Sequence, residues 1–223
     1  MIKIAPSILS ADFINLGRDI DSIAAADEIH FDVMDGLFVP NLSFGLPVLK
    51  AVRGYTDMVI DVHLMIERPI RYVENFCRAG ADLVAVHVEA DTPEAISQAI
   101  DIIRARGKKA GVAIKPGTPA SALEPFIDRL GEVICMTVEP GFGGQSLRMD
   151  VLKKVAEVRK MVESRGLNCD ISVDGGVNRA TAPLCVEAGA NVLVNGTGIF
   201  SAENRERNIE ELRGSLQPYF DVR

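Results

Sequence analysis

One pattern runs the length of this chain and leaves few folds open to it. Short β-branched apolar runs alternate with stretches of 3.6-residue periodicity from one end to the other. The predicted strands are residues 2–8, 28–34, 58–65, 82–88, 109–114, 133–138, 170–174 and 191–195, and the predicted helices include 13–25, 70–79, 93–106 and 151–165. Gly80, Gly107, Gly166 and Gly189 close helical stretches in the C-cap manner. Arg78-Ala79-Gly80-Ala81-Asp82 and Glu187-Ala188-Gly189-Ala190-Asn191 repeat one helix-stop, strand-start phrase, the trace of a repeated βα unit. Eight such units leave roughly 25–30 residues each, the size of a βα unit. Near-continuous apolar strands between helices call for a parallel sheet covered by helices, and eight of them favour closure into an α/β (β/α)₈ TIM barrel over residues 1–223 as a single domain. An open doubly wound sheet is the alternative, weakened because no G-x-G-x-x-G follows the first strand.

Composition narrows the function classes. With 48% hydrophobic residues the chain is not of the disordered type, and a net charge of −7 argues against sequence-independent nucleic-acid binding. No apolar run approaches the ~18 residues of a membrane helix. The N-terminus has none of the features of a signal peptide, so a soluble, cytoplasmic protein without membrane or nucleic-acid partners is expected. Cys77, Cys135, Cys169 and Cys185 form no C-x-x-C pair and are expected to be buried and reduced.

In a barrel, chemistry gathers at the C-terminal ends of the strands. Period two puts His30, Asp32 and Met34 on one face of the second strand, and Asp61, His63 and Met65 on one face of the third. Asp174 ends the seventh strand, just before Gly175-Gly176. Two imidazoles and two carboxylates thus converge on one mouth, a set suited to a divalent metal: zinc, iron(II), manganese or cobalt. His87 reads as structural or as support for a ligand, and Asp35, before Gly36, as a turn residue.

Three loops suit an anion: Glu139-Pro140-Gly141-Phe142-Gly143-Gly144-Gln145, Gly175-Gly176-Val177-Asn178 and Gly196-Thr197-Gly198. Glycines let backbone amides approach phosphate oxygens, and barrels commonly bind phosphate after strands seven and eight. The last two loops contain no Lys or Arg, so capture falls to amides and the Thr197 hydroxyl. Met34, Met65 and Met136 fall inward near strand ends, either as core filler or as a polarizable wall around a delocalised anion.

Read together, these residues resemble the ribulose-phosphate 3-epimerase family. The resemblance rests on A-P-S-I-L-S-A-D-F at 5–13, H-F-D-V-M-D-G-x-F-V-P-N at 30–41, H-L-M at 63–65, H-V-E-A at 87–90, K-P-G-T at 115–118, M-T-V-E-P-G-F-G-G-Q at 136–145 and V-D-G-G-V at 173–177. It implies a barrel that interconverts D-ribulose 5-phosphate and D-xylulose 5-phosphate with one divalent metal ion, Zn²⁺ or Fe²⁺ ahead of Mn²⁺ or Co²⁺. The ligands it implies are His30, Asp32, His63 and Asp174, with Asp32 and Asp174 moving protons through a metal-stabilised enediolate. Ser7 corresponds to a substrate contact, and His63 and Asp174 would touch substrate as well. Gly143, Gly144, Gly176, Gly196 and Thr197 correspond to the phosphate cradle, with Gly141 and Gly175 beside them. Met34, Met65 and Met136 would lie over the reacting carbons, and a homo-oligomer, dimer or hexamer, is implied.

Two positions depart from the family pattern. Leu37 stands where many members carry His, and Asn195-Gly196-Thr197-Gly198 stands where Gly-Ser-Ala is common. The second departure keeps a D-allulose 6-phosphate 3-epimerase as an alternative. A decarboxylase or aldolase barrel fits less well: Asp61-Val62-His63-Leu64-Met65 replaces the Asp-x-Lys-x-x-Asp of decarboxylating relatives, and Lys115 is the sole Schiff-base candidate at a strand end. A non-catalytic sugar-phosphate sensor would not need two coordinated carboxylates.

Overall fold

The strands form in the expected order because each alternates outward and inward side chains and buries both faces. A computed structural model describes residues 1–219. Its strands are β1 (Lys3–Ala5), β2 (Glu28–Met34), β3 (Val59–Met65), β4 (Leu83–His87), β5 (Lys109–Ile114), β6 (Glu132–Met136), β7 (Asp170–Asp174) and β8 (Val192–Val194). The helices are α1 (Leu16–Asp21), α2 (Leu46–Tyr55), α3 (Val73–Ala79), α4 (Pro93–Ala105), α5 (Leu152–Ser164), α6 (Ala182–Ala188), α7 (Thr197–Phe200) and α8 (Arg205–Ser215). All strand pairs are parallel, in the order β1-β8-β7-β6-β5-β4-β3-β2. The remaining seam, between β1 and β2, is drawn together by the Ser7–His30 bridge and by His30 N donating to Pro6 O at 3.0 Å. The sheet is therefore a nearly closed (β/α)₈ barrel.

The core has two compartments. Outward residues such as Ile4, Phe31, Val62, Val112 and Ile171 meet the helices in one continuous apolar layer. The α4 helix shows why its partner face forms: Thr92 caps it, Pro93 starts it, and Ile96, Ala99, Ile100 and Ile103 recur on one side and are fully buried. Inward residues, Leu83, Ala85, Ala113, Ile134 and Met136 among them, fill the barrel itself. Burying each large aliphatic side chain contributes about 1.5–3 kcal/mol. Among the described residues no helix is long and apolar enough to cross a membrane.

Several boundaries differ from expectation. The first strand stops at Ala5, because Pro6 has no N–H for the ladder and Ser7 turns the chain by accepting from Leu9 N. The 13–25 segment splits into a 3₁₀ turn, Phe13–Asn15, and the short α1, since Asp12 caps the turn through Ile14 N. The β6 strand runs Glu132–Met136 rather than 133–138, and at Thr137 the N–H and the hydroxyl both turn to Asp174 O, the carbonyl that ends β7. Glu132, at the start of β6, is buried in the barrel interior. Between β5 and β6, two 3₁₀ turns, Ala120–Leu123 and Ile127–Arg129, stand in for a helix in a stretch interrupted by Pro116, Pro119 and Pro125.

Candidate active site and metal centre

The register of two strands builds the site. The β2–β3 ladder sets His30 beside Asp61, Asp32 beside His63 and Met34 beside Met65. From across the mouth β7 delivers Asp174, level with Met136 and Val194. One donor atom each from His30, Asp32, His63 and Asp174 lies within 4.8 Å of the others. His30 Nε2 is 3.2 Å from Asp32 Oδ1 and 3.7 Å from Asp174 Oδ2. His63 Nδ1 is 3.1 Å and 3.5 Å from the same two atoms. Four donors held tetrahedrally about 2.1 Å from one ion stand about 3.4 Å apart. The pair distances bracket that value, so these residues fit a divalent metal.

Charge at the cluster is tightly balanced. Burial pushes His30 toward the neutral form, but Asp32 and Asp61 outweigh it and hold the imidazole pKa well above its usual range. The same contest at His63, burial against Asp174 and Asp32, also ends with a raised pKa. Burial opposes ionisation of Asp32, yet the two imidazoles hold its carboxyl well below the usual carboxylate range. Ser7 Oγ donates to Asp32 Oδ2 at 2.5 Å. A cation entering here would displace protons from the imidazoles and meet an ionised Asp32.

Each imidazole of the cluster has a partner behind it. His30 Nδ1 is 2.6 Å from Asp61 Oδ2, and His63 Nε2 is 2.9 Å from His87 Nε2. Burial, with His63 nearby, lowers the His87 pKa to about 4 against the opposing pull of Glu89, so this ring is neutral. Burial works against the Glu89 charge, but hydrogen bonds led by His87 hold it ionised, with a pKa of about 2.

A pocket opens above the cluster, and most of the sequence-predicted residues meet in it. Ser7, Asp32, Asp174 and the three methionines form its lower wall, and Gly141, Gly143, Gly144, Gly175, Gly176 and Gly196, with Thr197, form its rim. His30 and His63 are fully buried and lie outside the lining set. Gly176, at φ +68°, packs so closely on Leu147 that a Cβ would collide with that residue's backbone. A Cβ on Gly196 would come within 2.6 Å of Ser10 Oγ. Among the described residues, no protein acceptor takes the amides of Gly143, Gly144, Gly176, Gly196 or Thr197. Unpaired amides at a pocket rim are suited to an anion.

Other expectations fall elsewhere. Leu37 is 72% exposed and does not line the pocket. Asp35 accepts from Leu37 N, Phe38 N and Glu67 N, the turn role expected of it. Lys115 Nζ sits 3.9 Å from the Phe38 ring centroid, outside the pocket. Sequence reasoning missed Ser10 and Asn195, which both line the pocket. Asn195 Oδ1 is buried without a hydrogen-bond partner. The signal for Asn195 was its place at the end of the last predicted strand. For Ser10 it was the Ser7-x-x-Ser10 spacing after the first.

The chain is 50% identical over 218 residues to ribulose-phosphate 3-epimerase of Bacillus subtilis, covering 96% of this chain and all (100%) of that one. It is 48% identical to the enzyme of the same name from Rhodobacter capsulatus, covering 97% and 96%. Identity is 45% to the chloroplastic ribulose-5-phosphate-3-epimerase of Arabidopsis thaliana, covering 97% of this chain and 78% of that one. Among solved structures, KGPDC from Streptococcus mutans superposes with a TM-score of 0.74 at 15% identity, covering 98% and 99%. A 3-hexulose-6-phosphate synthase does so at 0.67 and 22%, covering 96% and 99%. These two likenesses speak to the fold alone. Fold and relatives together define an isomerase of carbohydrates built on a (β/α)₈ barrel. Within that class the chain belongs to the ribulose-phosphate 3-epimerase family, whose model matches residues 3–200.

Proposed function

We propose that the protein inverts C3 of D-ribulose 5-phosphate to give D-xylulose 5-phosphate, with Asp32 and Asp174 exchanging the proton over a divalent metal held by His30, Asp32, His63 and Asp174. The observation that carries this reading is the convergence of the two carboxylates, from β2 and β7, on one pair of imidazoles beneath a single pocket. A bound divalent ion would supply Lewis-acid polarisation of the substrate's ketone oxygen, which acidifies the neighbouring C–H. Asp32 accepts a proton from one face of C3, Asp174 delivers one from the other, and the roles exchange in the reverse direction. Ser7 steadies Asp32 by its hydrogen bond. The unpaired rim amides and the Thr197 hydroxyl take the phosphate, and that remote binding energy holds C3 between the carboxylates. The methionines exclude water from the reacting carbons. Four buried free cysteines fit a reducing cytoplasm, and exposed Phe13, Ile14 and Leu42 fit a homo-oligomer.

Turnover in D₂O tests the proton path. A carboxylic acid at a barrel mouth exchanges with solvent, so deuterium should appear at C3 of nearly all product. Retention of the original hydrogen would mean that one base carries it across. The Asn195-Gly196-Thr197-Gly198 loop supports a second reading, D-allulose 6-phosphate as substrate. Comparing turnover on the two sugar phosphates decides between them, and the pentulose is expected to be preferred.

A further inference from the structure

Two of the sequence motifs, at 87–90 and 115–118, have no part in the chemistry above, yet both connect to a metal ligand. His63 turns Nδ1 toward Asp32 and Asp174 and Nε2 toward His87 Nε2, 2.9 Å away. Only one proton fits between two ring nitrogens at that distance. The other nitrogen of His87, Nδ1, is 3.0 Å from Glu89 Oε2. If His63 gives Nδ1 to a cation, its proton sits on Nε2 and fills the space between the rings. His87 Nε2 is then the acceptor, and His87 Nδ1 turns its N–H to Glu89. His63 Nδ1, 3.1 Å from Asp32 Oδ1, is the atom turned into the cluster.

Glu89 is itself held in place. Its Oε1 accepts from Lys115 N at 2.7 Å and from the Thr118 hydroxyl. The loop carrying these donors is tied to α5 by Lys154, whose Nζ donates to the carbonyls of Lys115, Pro116 and Thr118 at 2.6, 2.9 and 2.8 Å.

We propose that His87 and Glu89, steadied by the 115–118 loop, are positioning residues that hold His63 in the tautomer able to donate Nδ1 to a divalent cation. His30 is arranged the other way round. Asp61 Oδ2 accepts from its Nδ1–H directly and leaves Nε2 turned to the cluster. One imidazole is thus set by a single carboxylate on the adjacent strand, the other by a relay through a second imidazole and two loops. Such outer partners of a metal-binding histidine typically govern metal affinity by about 10–100-fold. The inference rests on the metal reading above, and its test separates the two.

Zn²⁺ affinity is measured by chelator competition on wild type, Glu89→Ala and Thr118→Val, and ¹⁵N-histidine NMR reports the His63 tautomer with and without Zn²⁺. In Zn²⁺-loaded wild type, His63 should carry its proton on Nε2 and show the shift of a coordinated Nδ1. Glu89→Ala should weaken Zn²⁺ binding by about 10–100-fold and move the His63 Nε2 signal of the Zn²⁺-loaded protein. Thr118→Val removes one donor to Glu89 and should cost about 2–10-fold, so it decides the matter if the alanine variant fails to fold. Loss of packing alone would lower the melting temperature without moving the tautomer. Wild type that takes up no Zn²⁺ overturns the metal reading and the relay with it. Wild type that binds Zn²⁺ alongside a folded Glu89→Ala variant within twofold of it, or a Zn²⁺-loaded wild type whose His63 proton is on Nδ1, overturns the relay alone.

Discussion

The two ends of the barrel both collect buried carboxylates, and they treat them in opposite ways. At the C-terminal mouth, Asp32 and Asp174 stand against His30 and His63, and the imidazoles keep Asp32 ionised. At the N-terminal mouth, donor atoms of Glu28, Asp61 and Glu132 also lie within 4.8 Å of one another, with no imidazole in the group. The cations there are Lys3, 2.7 Å from Asp170 and 3.5 Å from Glu28, and Lys109, 3.4 Å from Asp170. Burial and the neighbouring Asp61 drive Glu28 up to about 7, and burial with Asp61 and Glu28 drives Glu132 well above the usual carboxylate range. Glu28 and Glu132 therefore favour their protonated forms where Asp32 favours its charged one. Asp61 joins them: Oδ2 meets His30 above, while Oδ1 is buried without a partner. A cluster of carboxylates suits a cation only where its neighbours stabilise the charged form, as the imidazoles do for Asp32.

Equivalent amide substitutions at the two ends should break this comparison most sharply. Asp174→Asn should lower turnover by about 10²–10⁴-fold even at saturating metal, the usual size of a lost proton-transfer group. Glu132→Gln should leave turnover within about threefold and raise the melting temperature, because an uncharged side chain needs no proton to remain buried. Removing metal with a chelator should abolish turnover, and adding back Zn²⁺ should restore it in Glu132→Gln as fully as in wild type. A large activity loss in Glu132→Gln would show that the lower cluster also serves the chemistry.

The lower end should also carry a pH signature. Glu28 in the folded protein holds a proton up to pH about 7, whereas its usual pKa is 4.5. Between those values the folded state binds a proton that the unfolded chain has released, so stability falls as pH rises through this window and is level above it. Glu28→Gln should remove this contribution, and the wild-type-minus-variant difference in denaturant stability should change by about 1–3 kcal/mol from pH 4.5 to pH 8. A difference independent of pH would mean that Lys3 neutralises Glu28 completely.

The smallest effect belongs to the rim. Thr197→Ala removes one neutral donor beside several amides and should raise KM by about 2–12-fold with kcat nearly unchanged, matching about 0.5–1.5 kcal/mol. A loss of several orders of magnitude would give Thr197 a chemical role.

Much of the upper site was legible in the sequence. His30, Asp32 and His63 share a face by period two, a property of each strand alone, and the glycine loops announce themselves by composition. The fold class followed from the repeated βα rhythm, which survives errors of a few residues at strand ends. Those errors had consequences even so. Starting β6 at Glu132 instead of residue 133 puts a carboxylate inside the barrel that the sequence reading left outside. Ser10 and Asn195 were missed because each reaches the pocket only where the first and last loops meet.

The sequence by itself determined which way each strand side chain points, because alternation is set by the local backbone. Only the tertiary structure decided what each one points at. The β2–β3 register set Asp32 against His63, closure of the barrel carried Asp174 across from β7, and the parallel pairing of β4 with β3 placed His87 beside His63. Register and closure depend on the stagger of all eight strands together. No run of neighbouring residues encodes that stagger, and so the partner of each ligand became visible only in the folded barrel.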